Sequence, residues 1–285
     1  MHESLHARRK PATPRLDGVF FFAEPEAEQP PRHPWARAPV LLILTPFLAA
    51  VQGLWLTRHF GYGPVSVLLN VGGSLLVIGA LRSPIAPALS AGLLPLALGI
   101  QNWTYPFSIL IGTGGLALVN GLRHLQGWHQ ALPSPLEPLP PPRGWAIPFA
   151  VFLLGGLVLV QVIGSPLVMF PPLLVIAFET IVHRHHCPWR ANPFRVWLVG
   201  NASAVLGLTL VLNLGVTPLA TFLAVLLCLA LLQLARLAFP PALGLALLPF
   251  VIPQPPLTYP LFTLAGSLWL LVVMWMFRLQ DSQRV

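Results

Sequence analysis

Residues 145–190 read WAIPFAVFLLGGLVLVQVIGSPLVMFPPLLVIAFETIVHRHHCPWR. Two apolar runs, 145–163 and 166–182, follow one another across a Gly-Ser-Pro break, and neither contains a lysine or arginine. Each has about the 17–25 residues that a helix rising 1.5 Å per residue needs to cross a hydrocarbon core. The chain then gathers three histidines, a cysteine and two arginines within eight residues, 183–190. Apolar runs of this length, ended by a polar and basic cluster, are the pattern of membrane helices meeting water.

Working outward, similar runs lie near 39–56, 64–81, 86–101, 106–122, 195–213, 218–236, 238–252 and 259–277. The expected fold is an all-α polytopic membrane protein of about ten transmembrane helices. The third and ninth runs are short, and the ninth, FPPALGLALLPFVI, reads as a short, broken or re-entrant helix. Composition agrees: the chain is 55% hydrophobic and 8% charged, where an ordinary soluble domain carries about 25% charged residues. The 33 prolines and 23 glycines are therefore not a sign of disorder, since membrane helices tolerate both.

Positive charge sets the expected orientation. With the N-terminus inside, 15 of the 16 lysines and arginines fall on the inner side, and Arg58 alone falls outside. Both termini are then cytoplasmic, in a cell (inner) membrane. The formal net charge of +8 is spread over the span ends, so it points to anionic lipid head groups rather than nucleic acid. Residues 1–37 read as a polar, flexible cytoplasmic tail, 38–122 as a first membrane half, 123–144 as a proline-rich cytoplasmic linker, 145–279 as a second half of about six helices, and 280–285 as a second tail. RSPIAP (82–87) set beside HCPWRANP (186–193), and 105–125 beside 217–237, suggest two parallel repeats.

The second half resembles the HPP family of integral membrane proteins. The resemblance runs through FPPLLVIAFET (170–180), CPWRANPFRVWLVGN (187–201), LARLAFPPALGLALLP (234–249) and YPLFTLAGSLWLLVVMWMFRL (259–279). Two polar positions depart from the family pattern. Phe239 precedes Pro240-Pro241 where the family has histidine, and Asn201 follows Gly200 where it has a Gly-His pair. The resemblance implies membrane transport, a role linked in some members to nitrite, and does not carry the solute over.

The leading functional expectation is a secondary transporter or permease of a small solute. The alternatives are a metal-binding membrane protein and a non-transporting structural or regulatory one; the sequence leaves room for a homo-oligomer. Glu179 is the only acid near a span, and on a continuing helix it shares a face with His183 and with His186 or Cys187. That cluster reads three ways: an interfacial helix end, a proton or substrate gate formed by Glu179 and His183, or a metal site of His183, His186 and Cys187. Phe239, Pro240 and Pro241 are candidates for a helix break, because two prolines do not fit an undisturbed helix interior. Gln52, Asn70, Asn120, Gln161, Asn201, Asn213 and Gln233 read as amides that bridge helices, some of them able to meet a solute. Trp103, Trp145, Trp189 and Trp197 read as interfacial anchors. No paired carboxylates, phosphate loop, haem attachment or nucleophile-base pair appears, so neither an enzyme nor a cofactor is expected.

Overall fold

Ten α-helices are found among the described residues of a computed structural model, which are 39–125, 139–140, 142–183, 187, 189 and 192–282. The tail 1–37, most of the linker 123–144 and His186 lie outside them. The helices are α1 (Pro39–Phe60), α2 (Pro64–Ala80), α3 (Pro87–Leu98), α4 (Thr104–Leu125), α5 (Ala146–Ile163), α6 (Pro171–Ile181), α7 (Pro193–Leu214), α8 (Pro218–Leu234), α9 (Pro241–Val251) and α10 (Tyr259–Ser282). Seven of them begin on a proline. At the first helical position the missing N–H would have had no partner, and the fixed φ already suits the helix. Proline thus punctuates the fold between apolar runs.

Five helices, α1, α4, α5, α7 and α10, are long and apolar enough to cross a membrane. Large apolar side chains such as Ile111, Val162, Leu226 and Trp275 stand exposed on the outside. An apolar exterior of this extent suits lipid rather than water. α2 and α8, with 17 residues each, are at the lower limit for crossing.

Three helices are short, α6 as well as the expected third and ninth. α3 has 12 residues, and α6 and α9 have 11 each, which gives lengths of about 16–18 Å. They form the centre: α6 packs against both α3 and α9, and eight residues of α3 and eight of α6 are buried. The run 166–182 is not one helix. Phe170 is extended (φ −60°, ψ 145°) and separates a 3₁₀ turn, Pro166–Met169, from α6. The residue before a proline is pushed out of the helical region, and Pro171 does this to Phe170.

The short α3 lies in step with α1. Thr45 donates to Ser83 at 2.8 Å, Gly53 packs on Gly92, and Arg58 Nε donates to the Gln101 carbonyl at 2.8 Å. The segment from Ser83 to Gln101 therefore runs from near the start of α1 to its end. α9 follows α7 likewise, with Phe239 and Leu245 beside Gly200 and Ala246 beside Gly207.

The packing of α1–α4 recurs in α7–α10. α1 lies against α2, α3 and α4; α7 lies against α8, α9 and α10; α2 packs on α3 as α8 packs on α9. The details coincide at a constant spacing of 154 positions. The Tyr105 hydroxyl donates to the Ala91 carbonyl at 2.6 Å, and that of Tyr259 to the Leu245 carbonyl at 2.9 Å. Arg82 and Arg236, just past α2 and α8, both hold a left-handed φ (47° and 48°), which is uncommon for a residue with a Cβ. The structure thus sets α4 opposite α10, so comparing 105–125 with 217–237 pairs the wrong helices. In the same way RSPIAP corresponds to RLAFPP (236–241), not to 186–193.

Candidate functional site

A narrow cleft lies between α6, α7, α9 and α10. Its depth is apolar: Phe170, Leu173, Phe239 and Leu245 line it and are all buried. α7 contributes one face of its first turns, Pro193, Val196, Trp197, Gly200 and Asn201. These positions fall at i, i+3, i+4, i+7 and i+8, which the helical period brings onto one side. Along α10 the same period aligns Thr263, Ser267, Leu270, Leu271 and Met274.

A strip of polar groups joins α7 to α10. Asn201 Nδ2 donates to the Trp197 carbonyl at 2.7 Å and to Ser267 Oγ at 3.1 Å. Asn201 Oδ1 accepts from Thr263 Oγ1 at 3.2 Å, and Ser267 Oγ donates to the Thr263 carbonyl at 2.6 Å. Thr180 of α6 also lines the cleft, and its hydroxyl donates back to the Ile176 carbonyl at 2.7 Å.

Two indoles complete the wall. Trp189 is 8% exposed and packs edge-on against Phe239, with ring centres 5.4 Å apart. Trp197 is half-buried. The Nε1 of each is buried without a hydrogen-bond partner among the described residues. Elsewhere buried indoles are satisfied: Trp269 Nε1 donates to the Phe152 carbonyl at 2.9 Å, and Trp145 Nε1 to the Pro140 carbonyl at 2.8 Å. A buried N–H with no acceptor costs about 1–3 kcal/mol; two of the four such polar atoms among the described residues, the others being the Tyr62 and Ser74 hydroxyls, belong to residues of this cleft wall. Trp189 and Trp197 are therefore wall residues of the cleft and not simple interfacial anchors. Trp103, by contrast, is exposed and carries Arg58 over its ring at 5.6 Å.

Glu179 and His183 do meet, with Nδ1 3.2 Å from Oε2 and both side chains partly buried. Neither lines the cleft. Glu179 precedes Thr180 on α6, so the two side chains point about 100° apart. α6 ends at Ile181, before His183, and His186, the third member of the expected His183, His186 and Cys187 set, lies outside the described residues. Cys187 is buried, and the described residues contain no group of three metal-ligating side chains. Phe239-Pro240-Pro241 is a connection between two helices and not a break within one: α8 ends at Leu234 and α9 begins at Pro241. Phe239 is 1% exposed and forms part of the cleft floor.

The corresponding positions of the first half are filled differently. The residues 154 positions before Val196, Trp197, Phe239 and Leu271 are Leu42, Ile43, Ile85 and Ala117, and they close on one another as a small apolar cluster. Phe47, Ile109 and Thr113 stand where the second half has Asn201, Thr263 and Ser267. Two buried or half-buried amides of the first half, Gln52 and Asn70, are internally satisfied. Gln52 donates to the Asn70 carbonyl at 3.1 Å, and Asn70, oriented to suit both groups, donates to the Gly92 carbonyl and accepts from Leu93 N.

The sequence already marks Asn201 as an amide worth following. Thr180, Thr263 and Ser267 carry no such mark, and their role depends on pairings across as many as 66 positions. Comparison with known proteins finds no matching family model, no matching curated protein and no matching solved structure.

Proposed function

We propose that the chain is a ten-span membrane permease for a small solute, built from a duplicated four-helix unit with α5 and α6 inserted between the copies. The observation that carries the reading is the α6–α7–α9–α10 cleft with its two buried, unpartnered indole N–H groups. Ligand sites are commonly apolar concavities with a few convergent polar groups. In transporters they also gather where short or broken helices interrupt the bundle. The HPP resemblance runs through the same helices. The charge rule supports cytoplasmic termini: Arg82 lies beside Ser83 at the end where α1 begins, and Arg58 lies at the other end of α1.

The test is osmotic swelling of proteoliposomes followed by light scattering, across a panel of polyols, small amides, ketones, carboxylates and nitrite. The chain should speed swelling over empty vesicles for at least one member. Gly200→Leu should abolish the gain, because a Cβ at Gly200 already sits 3.2 Å from Leu245 and 3.6 Å from Phe239 and the longer side chain must enter the cleft. Swelling equal to that of empty vesicles for every member refutes permease activity.

A further inference from the structure

α3 and α9 each carry a proline inside the helix, Pro95 and Pro249. Proline has no N–H, so the carbonyl four residues earlier loses its helical donor. Those carbonyls belong to Ala91 and Leu245. Each receives a tyrosine hydroxyl instead: Tyr105 Oη donates to Ala91 at 2.6 Å and Tyr259 Oη to Leu245 at 2.9 Å. Both tyrosines stand in the first turn of the following helix, α4 or α10. The proline, the carbonyl and the tyrosine all recur at the spacing of 154 positions, so the arrangement occurs once in each half. A buried carbonyl left without a donor is costly, and here a side chain of the next helix takes the place of the backbone donor.

The two halves put this arrangement to different use. Leu245 lines the cleft and is buried, and its side chain lies against Gly200 of α7. Its carbonyl is thus held by α10 while its side chain forms part of the wall. Tyr259 is fully buried and lies four residues before Thr263, the first α10 residue of that wall, so the two share a face of α10. One tyrosine therefore joins two walls of the cleft. In the first half, Ala91 carries only a methyl group and is not a cleft residue, and Tyr105 is half-buried.

We infer that Tyr259 is a positioning residue of the cleft: its hydroxyl replaces the helical donor lost at Pro249, ties α9 to α10, and thereby fixes the Leu245 side chain in the wall. This rests on the reading of the cleft as the solute site, and it names a residue outside the wall that sets the wall's shape. Tyr105 makes the same replacement for Pro95, where the carbonyl it holds belongs to no cleft residue. The two tyrosines are therefore alike in what they do for stability and unlike in what they do for the site.

Restoring the lost N–H tests the replacement. In the natural chain, Tyr259→Phe should lower the melting temperature in detergent by about 2–8 °C, as expected for one buried bond in a chain of this size. In the Pro249→Ala background the backbone N–H of residue 249 again reaches the Leu245 carbonyl, and the same substitution should cost less than half as much. A tyrosine that only packs its ring would cost the same in both backgrounds, so equal losses overturn the inference. If Pro249→Ala does not fold, the cycle of Pro95→Ala with Tyr105→Phe decides by the same comparison. Proteoliposome swelling reads the cleft. For a solute that the natural chain passes, Tyr259→Phe should slow swelling about two- to tenfold, the net worth of one hydrogen bond. Adding Pro249→Ala should restore the rate, and Tyr105→Phe alone should leave it unchanged. Unaltered swelling in Tyr259→Phe, or equal slowing by Tyr105→Phe, overturns the positioning role. If the natural chain passes no solute, the permease reading fails, and the melts alone uphold or overturn the replacement of the donor by tyrosine.

Discussion

Replacing Gly207 by alanine tests the contact on which the second half is built. A Cβ at Gly207 would lie 2.7 Å from the carbonyl carbon of Ala246 and 2.9 Å from its Cα, with the carbonyl oxygen nearer still. Every one of these is backbone of α9, which cannot swing aside as a long side chain can. α7 and α9 would have to part by roughly 1 Å to restore ordinary contact, in an interior packed as densely as a crystal. A gap of that size forfeits about a quarter to a half of the attraction of each atom pair across it. With an overpacking cost of about 1–3 kcal/mol, a loss near 3 kcal/mol is expected. At about 2–4 °C per kcal/mol for a chain of this size, the melting temperature should fall by roughly 6–12 °C. The assay is thermal unfolding in detergent, followed by a thiol dye that reacts as buried Cys228 becomes accessible. Gly53→Ala should behave alike, since its Cβ would meet the Gly92 carbonyl carbon at 2.8 Å. Gly72→Ala is the control: its Cβ meets nothing within 4 Å, and alanine's higher helix propensity should leave stability equal or slightly raised. A folded Gly207→Ala protein melting within about 1 °C of the natural chain refutes the close backbone crossing.

Two further outcomes are expected. Tyr259→Phe removes a fully buried hydroxyl bond to the Leu245 carbonyl and should cost about 1–2 kcal/mol in the same melt; Tyr105→Phe, at the half-buried counterpart, should cost less but act in the same direction. A stabilising Tyr105→Phe would deny that the two tyrosines do equivalent work. Glu179→Gln breaks a partly exposed pair with His183, worth about 0–1 kcal/mol, and should leave the swelling rate of proteoliposomes unchanged. A collapse of swelling in that variant would bring the pair back into the site.

Some of this protein is legible in its residues one stretch at a time. Apolar runs bounded by Pro and Arg locate the helices because each run must satisfy its own backbone hydrogen bonds in lipid, a local demand. The resulting bounds are close: 64–81 against Pro64–Ala80, and 195–213 against Pro193–Leu214. The exception, 166–182, is also local in cause, and Pro171 after Phe170 shows why the run divides. The register between the halves is harder to read. Two apolar helices ending in arginine look alike wherever they sit, and only the matching partners of Tyr105 and Tyr259 set α4 against α10.

The cluster at 183–190 illustrates the same division. Spacing alone brings Glu179 to His183, because i and i+4 meet on any helix, and the structure has them 3.2 Å apart. Which way that pair faces depends on what packs around α6, and the side lining the cleft belongs to Thr180 and Ile176. Trp189, an ordinary interfacial residue by sequence, is buried against Phe239, 50 positions further along. By itself, then, the sequence determined an all-helical chain with membrane-length apolar spans, the approximate starts of most helices, and a single acid near them, since these follow from hydrophobic length and backbone geometry. Only the tertiary structure decided that three short helices fill the centre, that α6, α7, α9 and α10 enclose a cleft, and that two indole N–H groups of its wall are left without partners among the described residues. Each of these depends on side chains from distant segments meeting or failing to meet, and no local pattern encodes that.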